Sequence, residues 1–398
     1  MISIIKNIGG IITYDVDLND VVTLEADSIL IENHLIRKID CPLDFQCDNL
    51  IDAKGYFLTP GFIDSHTHLV FSSNRSKDFN KRVSGDTYQE IANSGGGIKS
   101  SIESLRNSTK EELINSCIEN VDRIFKSGTT TVEAKSGYGL TLIDEIKSLE
   151  VIKSLNDKSN IDIVPTFMGA HDFPDENLDQ DSYIDLLCTE MIPEVSNNNL
   201  AEFCDVFCED GYFNSNQTIK ISEKAREYNL DIKLHVDEFS DSNGAFLAGE
   251  LSAVSADHLM KSNYKGLLNM ARNNVVATIL PGTTLFLGLD SFANGSKMIE
   301  AGCDVAIASD FNPGSNTIYS MPTIMALSSL YCGLSIKDSF KAATYNGAKA
   351  IKRQESIGLI REGYKADILF WDIKSINEIP YWFNSDRISM IMKNGKLV

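Results

Sequence analysis

The chain has 398 residues, 43% of them hydrophobic and 23% charged, which is the composition of an ordinary globular protein with a large buried core. Its formal net charge is −20, so it lacks the basic surface that binding to nucleic acid or to an anionic membrane requires. No apolar run approaches the roughly 20 residues of a membrane-spanning helix, and the first residues lack the apolar stretch of a signal peptide. We therefore expect a cytoplasmic protein that binds neither nucleic acid nor membrane.

The N-terminal part consists of short β-like segments separated by Asn and Asp turns, at residues 11–14, 21–24, 28–31 and 35–38. The C-terminal part, residues 366–398, has the same character. Because each end is too short to bury a sheet alone, we predict that the two termini meet in one small β-sandwich domain formed by residues 1–55 and 350–398.

Between the termini, short apolar runs alternate with longer segments of helical periodicity, which is typical of repeated βα units. The eight predicted strands are residues 56–66, 129–135, 161–169, 201–208, 231–236, 252–256, 275–280 and 304–309. The clearest helical segments are residues 110–125, 144–155, 218–228 and 295–301. This order predicts a (β/α)₈ TIM-like barrel over residues 56–349.

The eight cysteines are scattered without the spacing of a disulfide framework or a zinc ribbon, so we expect free thiols. Cys204 and Cys208 lie in an alternating run that places both on one face of a strand. Free cysteine behaves as a small hydrophobic residue. We therefore predict that both are buried and structural.

Five of the six histidines follow predicted barrel strands, at the end where barrel enzymes place their active sites. They are His66, His68, His171, His235 and His258. The sixth, His34, falls in the terminal domain and is interpreted as an ordinary surface or turn histidine.

His66 and His68 are separated by one residue, so the strand period directs both imidazoles to the same face. Such a pair in isolation is more often two hydrogen-bonded rings than a metal site. Here, however, His235 ends the fifth predicted strand and Asp310 ends the eighth. The barrel would then bring three imidazoles and one carboxylate to one mouth, a ligand set that suits zinc or iron with an open position for water.

These residues resemble the metal-binding motif of the amidohydrolase superfamily, and the likeness covers nearly the whole chain. It is carried by the stretches Pro60-Gly-Phe-Ile-Asp-Ser-His-Thr-His-Leu-Val-Phe71, Asn74-Arg75, Gly95-Gly-Gly-Ile98, Lys135-Ser-Gly-Tyr-Gly139, Gly169-Ala-His-Asp172, His235-Val-Asp-Glu-Phe239, Ala256-Asp-His-Leu259 and Ser309-Asp-Phe-Asn-Pro-Gly-Ser315. The resemblance implies His66, His68, His235 and Asp310 as metal ligands. Two-metal members use a bridging lysine on the fourth strand, but residues 202–210 contain none, so one Zn²⁺ or Fe²⁺/Fe³⁺ ion per chain is implied.

Within the superfamily, the resemblance implies hydrolysis of the cyclic amide of 4-imidazolone-5-propanoate to N-formimidoyl-L-glutamate, by a metal-activated water, in histidine degradation. Glu238, His258 and Asp310 are the candidate catalytic residues, with the division of proton transfers among them left open. The candidate residues for binding the small anionic substrate are Arg75, Tyr138, His171, Glu238, Asn312, Gly314 and Ser315. The resemblance also implies a homodimer.

Two alternatives stay open at this point. A deaminase of the same superfamily, acting on a purine or pyrimidine, would share the metal motif and would release ammonia. A non-catalytic barrel scaffold is disfavoured because every ligand position is filled. Residues 317–319 and Trp382 depart from the pattern that the resemblance leads us to expect. Neither position is a metal ligand in the resemblance, so the departures affect expectations about substrate preference or packing and not about the reaction class.

Overall fold

A computed structural model describes residues 1–42, 45–86, 90–91, 94–174, 178–384 and 386–398. The strands in this part of the chain are β1 (Ile2–Lys6), β2 (Gly10–Asp15), β3 (Asp20–Leu24), β4 (Ser28–Glu32), β5 (Leu35–Ile39), β6 (Asn49–Asp52), β7 (Phe57–Pro60), β8 (Phe62–Asp64), β9 (Thr129–Lys135), β10 (Asp162–Ala170), β11 (Phe203–Cys208), β12 (Asp231–Val236), β13 (Ser255–His258), β14 (Val276–Ile279), β15 (Val305–Ile307), β16 (Ile368–Trp371), β17 (Ile388–Lys393) and β18 (Lys396–Leu397).

The helices within the described ranges cover the outside of the barrel and the connections at its mouth. They are Ser76–Val83, Ile98–Asn107, Lys110–Lys126, Leu142–Lys158, Gln180–Leu186, Ile192–Asn197, Ser215–Glu227, Gly244–Glu250, Tyr264–Arg272, Pro281–Leu287, Gly295–Glu300, Met321–Tyr331, Ile336–Ala343, Tyr345–Lys349 and Glu378–Tyr381. A π-helical turn, Leu187–Met191, joins two of them.

Lys110–Lys126 illustrates why these segments are helical. Thr109 and Glu112 form a reciprocal capping box at its start, which satisfies two backbone N–H groups. Leu113, Cys117 and Val121 then recur at four-residue spacing and are buried, so one stripe of the helix packs against the core.

Strands β8 to β15 form one parallel sheet in which each strand pairs with the next along the chain. The ends of the first and last strands also meet. The Asp310 backbone N–H donates to the His66 carbonyl at 3.0 Å, and the His68 N–H donates to the Phe311 carbonyl at 2.9 Å. These bonds close the barrel and confirm the predicted (β/α)₈ fold.

The remaining strands form two sheets, with the orders β5-β4-β1-β6 and β18-β17-β16-β7-β2-β3. The second sheet joins both termini, since β16 from the C-terminal part pairs with β7 from the N-terminal part. Side chains of both sheets share one hydrophobic cluster that includes Ile5, Ile29, Leu58, Ile368 and Phe370. The small sandwich built from both termini is therefore present.

The prediction of a single strand over residues 56–66 was wrong. The segment is divided at Gly61 into β7, which belongs to the terminal sheet, and β8, which is the first barrel strand. A Cβ atom at Gly61 would lie 2.1 Å from Thr130 Oγ1, so only glycine allows the chain to pass this close to β9. Strands β1 and β6 were not predicted either.

Several smaller predictions are confirmed. All eight cysteines are free thiols, and Cys204 and Cys208 are buried. His34 is exposed in the turn between β4 and β5. No helix in the described ranges has both the length and the apolar character needed to cross a bilayer.

Candidate metal centre and active site

Three histidines converge at the C-terminal mouth of the barrel. His66 and His68 follow β8 directly, and His235 lies in β12. One ring nitrogen from each lies within 4.8 Å of the others, and all three side chains are buried. His66 and His68 each present Nε2 to Asp310 Oδ1, at 3.6 and 3.7 Å.

These separations fit ligands of a shared cation. They exceed hydrogen-bond length but approach the edge of a tetrahedron whose bonds are about 2.1 Å, which is about 3.4 Å. Among the described residues, His66 Nε2 and His235 Nε2 are buried without a hydrogen-bond partner, an arrangement that is costly unless something else binds them. Burial also lowers the pKa of His66 and of His68 well below 6.5, so both rings are neutral and have a lone pair available.

Buried carboxylates fix the orientation of these ligands. His66 Nδ1 lies 2.7 Å from Asp257 Oδ2, and His235 Nδ1 lies 3.0 Å from Asp205 Oδ1. A carboxylate at Nδ1 places the proton there and leaves Nε2 free to bind metal. Thr283 Oγ1 donates to Asp310 Oδ2 at 2.5 Å, which leaves Oδ1 of Asp310 directed at the histidines.

Beneath the histidines lies a group of buried charges that we call the ionic cluster, composed of Glu133, Lys135, Asp205, Lys233 and Asp257. All five side chains are fully buried. Burial lowers the pKa of Lys135, but the neighbouring charges of Asp205, Glu133 and Asp257 outweigh this and raise it above the usual lysine value. Three carboxylates and two ammonium groups leave one negative charge, and Asp310 adds a second, so a divalent cation at the mouth would neutralise the ensemble.

Glu238 and His258 form a second pair beside this centre, with His258 Nε2 3.6 Å from Glu238 Oε2. Burial, aided by the charges of Asp310 and Glu209, raises the pKa of Glu238 well above 4.5. These surroundings therefore favour the protonated form of Glu238. Burial also lowers the pKa of His258 well below its usual value, so the surroundings favour a carboxylic acid at Glu238 and a neutral imidazole at His258.

The backbone around this pair is held in a defined position by a buried carboxylate. Glu209 Oε2 accepts hydrogen bonds from the N–H groups of Glu238, at 2.8 Å, and Phe239, at 3.1 Å. His258 and Asp310 have left-handed backbone conformations, with φ of 77° and 54°. Non-glycine residues in this region are strained and concentrate at functional sites.

These groups open into a pocket of about 680 Å³. All the predicted site residues line it except His66, which is fully buried. The other residues that line the pocket were not predicted from the sequence; they are Arg82, Ile98, Phe207, Tyr212, Phe239 and Leu287. They are ordinary apolar, aromatic or basic residues on loops and helices and, for Phe207, on β11, and nothing in their spacing distinguishes them.

Arg75 is held on one wall of the pocket. Its Nε donates to Asp78 Oδ2 at 2.8 Å, and the same carboxylate oxygen accepts from the Gly97 N–H at 2.9 Å. The guanidinium lies against Gly314, where an added Cβ would be 2.0 Å from Arg75 Nη1. Residues after the first and eighth strands therefore position this cation together.

Tyr138 and His171 lie side by side, with ring centroids 5.5 Å apart. His171 also stacks on His68 at 4.9 Å, and its Nδ1 lies 3.0 Å from the Gly137 carbonyl. Burial lowers the pKa of His171 to about 3. Both rings thus form the wall next to the candidate metal ligands.

Asn312 uses its side chain to shape the loop after β15. Its Nδ2 donates to the Asp310 carbonyl and to Ser315 Oγ, both at 2.7 Å, and its Oδ1 accepts from the N–H groups of Gly314 and Ser315. The amide hydrogen-bonding capacity is therefore fully used within the loop. This positions Ser315 and Gly314 at the pocket.

Comparison with known proteins agrees with this geometry. Residues 291–398 match the amidohydrolase family. The imidazolonepropionase of Brevibacillus brevis is 43% identical over 390 residues, which cover 96% of this chain and 92% of that protein. The imidazolonepropionase of Clostridium tetani is 40% identical over 409 residues, covering 99% and 97% of the two chains.

Solved structures support the fold. A 5-methylcytosine deaminase from Klebsiella pneumoniae superimposes with a TM-score of 0.77 at 17% identity, covering 99% of this chain and 97% of that one. An adenosine deaminase from Xanthomonas campestris, solved with bound zinc, gives 0.75 at 16% identity, covering 99% and 92%. At this identity only the architecture is shared, whereas the relatives of 40% identity and more extend along nearly the full chain. The chain belongs to the imidazolonepropionase family, within the metal-dependent amidohydrolases.

Proposed function

We propose that this protein hydrolyses the ring amide of 4-imidazolone-5-propanoate to N-formimidoyl-L-glutamate, a step of histidine degradation. One observation carries the proposal. A single pocket is lined by metal-type ligands, by the acid and imidazole pair of Glu238 and His258, and by the guanidinium of Arg75. A cyclic amide with a carboxylate side chain needs all three groups, and the family relationship supports this substrate.

We propose that one zinc or iron ion is held by the Nε2 atoms of His66, His68 and His235 and by Asp310 Oδ1. Such an ion, when bound, lowers the pKa of water and polarises a carbonyl group. β11 offers no lysine that could bridge a second ion, which supports a single ion.

The protein's own residues then have distinct tasks. Arg75, fixed through Nε by Asp78, directs its remaining N–H groups at the propanoate carboxylate, since a planar guanidinium binds a carboxylate through two hydrogen bonds. Tyr138 and His171 close the adjacent wall and exclude water.

Glu238 supplies the proton. Because its pKa is raised, its carboxyl group can donate to the ring nitrogen that leaves when the amide bond breaks. His258, 3.6 Å from Glu238, is neutral and can donate one ring N–H to the oxyanion or pass a proton to Glu238. Asp310 can accept the proton that the attacking water loses, and His258 can return a proton to Glu238 by taking one up at one ring nitrogen while releasing one at the other, so that the net reaction adds one water across the amide bond. Thr283 Oγ1 donates to Asp310 Oδ2, which keeps the orientation of Asp310 constant during these transfers.

The test is to mix the purified, metal-loaded protein with freshly generated imidazolone propanoate and to follow the loss of its ultraviolet absorbance. We expect turnover without ammonia release, and loss of both activity and bound metal in His235→Ala with the fold retained. Ammonia release from a purine or pyrimidine, with no action on the imidazolone, would establish the deaminase alternative instead.

A further inference from the structure

We propose that Lys135 is a positioning residue for the metal centre, because it ties together the two carboxylates that orient His235 and His66. This inference rests on the proposed metal site. Lys135 Nζ lies 2.7 Å from Asp205 Oδ2 and 3.7 Å from Asp257 Oδ2. Lys135 does not line the pocket and has no route to the substrate, so it acts only through its neighbours.

The connection from Lys135 to the histidines is short. Asp205 uses Oδ2 for Lys135 and Oδ1 for His235 Nδ1, at 3.0 Å. Asp257 uses Oδ2 for His66 Nδ1, at 2.7 Å, and the same oxygen faces Lys135. The ammonium group of Lys135 therefore sets the position of two carboxylates, one on β11 and one on β13. Through them it sets the position of the His235 ring on β12 and of the His66 ring after β8.

The surroundings explain why a cation is needed there. Asp205, Asp257 and Glu133 are all fully buried, and like charges in a medium of low polarity repel each other strongly. Lys135 Nζ also lies 2.7 Å from Glu133 Oε1. Without the ammonium group, the carboxylates would separate or take up protons, and either change would release the Nδ1 atoms from their fixed orientation.

Lys233 provides a matched control in the same ionic cluster. It is as deeply buried as Lys135, but its Nζ donates to the backbone carbonyls of Ser65 and Ala350, at 2.9 and 3.3 Å. Its nearest cluster carboxylate is Glu133, at 3.8 Å, which contacts none of the three ligand histidines. Removing either ammonium group therefore removes one buried positive charge from the ionic cluster. Only Lys135, however, contacts the carboxylates that hold the rings of His66 and His235.

The experiment compares Lys135→Met with Lys233→Met. Each protein is stripped with a chelator, and Zn²⁺ affinity is measured by competition with a chromophoric chelator. The visible spectrum of the Co²⁺-loaded protein reports ligand geometry, and thermal unfolding of the metal-free protein reports stability. We expect both variants to lose stability, whereas only Lys135→Met binds Zn²⁺ about 10- to 100-fold more weakly and has an altered Co²⁺ spectrum.

A second pair keeps the test decisive if Lys135→Met does not fold. Glu133→Gln combined with each lysine substitution restores the formal charge balance of the ionic cluster and leaves both histidine-holding aspartates intact. The weaker Zn²⁺ binding should persist in Glu133→Gln/Lys135→Met and be absent from Glu133→Gln/Lys233→Met.

Two results would overturn the inference. One is unchanged Zn²⁺ affinity and Co²⁺ spectrum in the Lys135 variants; the other is an equal loss of affinity in the Lys135 and Lys233 variants, which would indicate general destabilisation. Failure of the proposed function is distinguishable, since the unmodified protein would then bind no metal or fail to turn over the imidazolone.

Discussion

The contact between Arg75 and Gly314 predicts how a single methyl group would affect substrate binding. Gly314 has a backbone conformation outside the left-handed region, so alanine fits its backbone without strain. The new Cβ, however, would lie 2.0 Å from Arg75 Nη1 and 2.6 Å from Cζ. Since ordinary contacts need about 3.5 Å, the guanidinium of Gly314→Ala must withdraw by roughly 1.5 Å.

That displacement is enough to break one charge-assisted hydrogen bond to the substrate carboxylate, which is worth about 1.5–3 kcal/mol. We expect KM to rise about tenfold to a hundredfold. The carboxylate lies away from the scissile amide, so the contact is similar in ground and transition states and kcat should change little.

Steady-state kinetics of Gly314→Ala, Arg75→Ala and the double variant form a thermodynamic cycle. If the methyl group acts through Arg75, Gly314→Ala should add almost nothing once Arg75 is already alanine. Arg75→Lys should recover only part of the affinity, because an ammonium group lacks the planar fork. An equal rise of KM from Gly314→Ala with and without the arginine would refute this placement of the substrate.

Three further predictions concern Glu238, the loop that carries Tyr138, and the sheet built from both termini. Glu238→Gln should lower kcat by about 10²- to 10⁴-fold. Because the acid form of Glu238 is lost as the pH rises through its raised pKa, the activity of the unmodified protein should fall on the alkaline side of the kcat/KM profile. That alkaline fall should disappear in Glu238→Gln, and its persistence would contradict the assignment. Glu145 accepts hydrogen bonds from the N–H groups of Gly137, Gly139 and Leu140 at 2.8–3.1 Å. Glu145→Gln should therefore speed hydrogen exchange at residues 137–140 and lower activity about tenfold. Unchanged exchange would count against a role of Glu145 in holding Tyr138. Deleting residues 366–398 removes β16 to β18 and uncovers apolar side chains of β7, so the truncated protein should be insoluble, and a soluble, active product would disprove this.

The barrel and the histidines that meet at its mouth could be predicted from the sequence because each depends on local pattern. β9 and β12 begin and end at the predicted residues, since both are short runs that contain β-branched or alternating apolar residues and lie between segments of helical periodicity. His66 and His68 follow from the two-residue period of a strand. Gly61 was not recognised as a break because apolar pairs stand on both sides of it, Phe57-Leu58 and Phe62-Ile63. The proximity of Thr130 explains why glycine is needed there.

The charges under the metal centre were missed for a different reason. Asp205, Lys135 and Asp257 are far apart in sequence, and their pairing exists only once parallel strands bring them together. A signal was nevertheless present, because Asp205 stands inside the apolar run Phe203–Cys208. A charged residue in a buried strand is rarely tolerated without a partner, and its partner could have been sought on the neighbouring strands.

The junction at Gly61 also determines when the molecule can fold during synthesis. β7 lies between β2 and β16 in the terminal sheet, and one residue later the chain begins the barrel at β8. The first 60 residues therefore leave the ribosome with one edge of β7 unpaired, and about 300 further residues must be made before β16 can cover it. Domains of multidomain chains commonly fold in order as they emerge. Here the earliest segment must wait for the latest, so the nascent chain exposes an apolar strand edge throughout translation of the barrel.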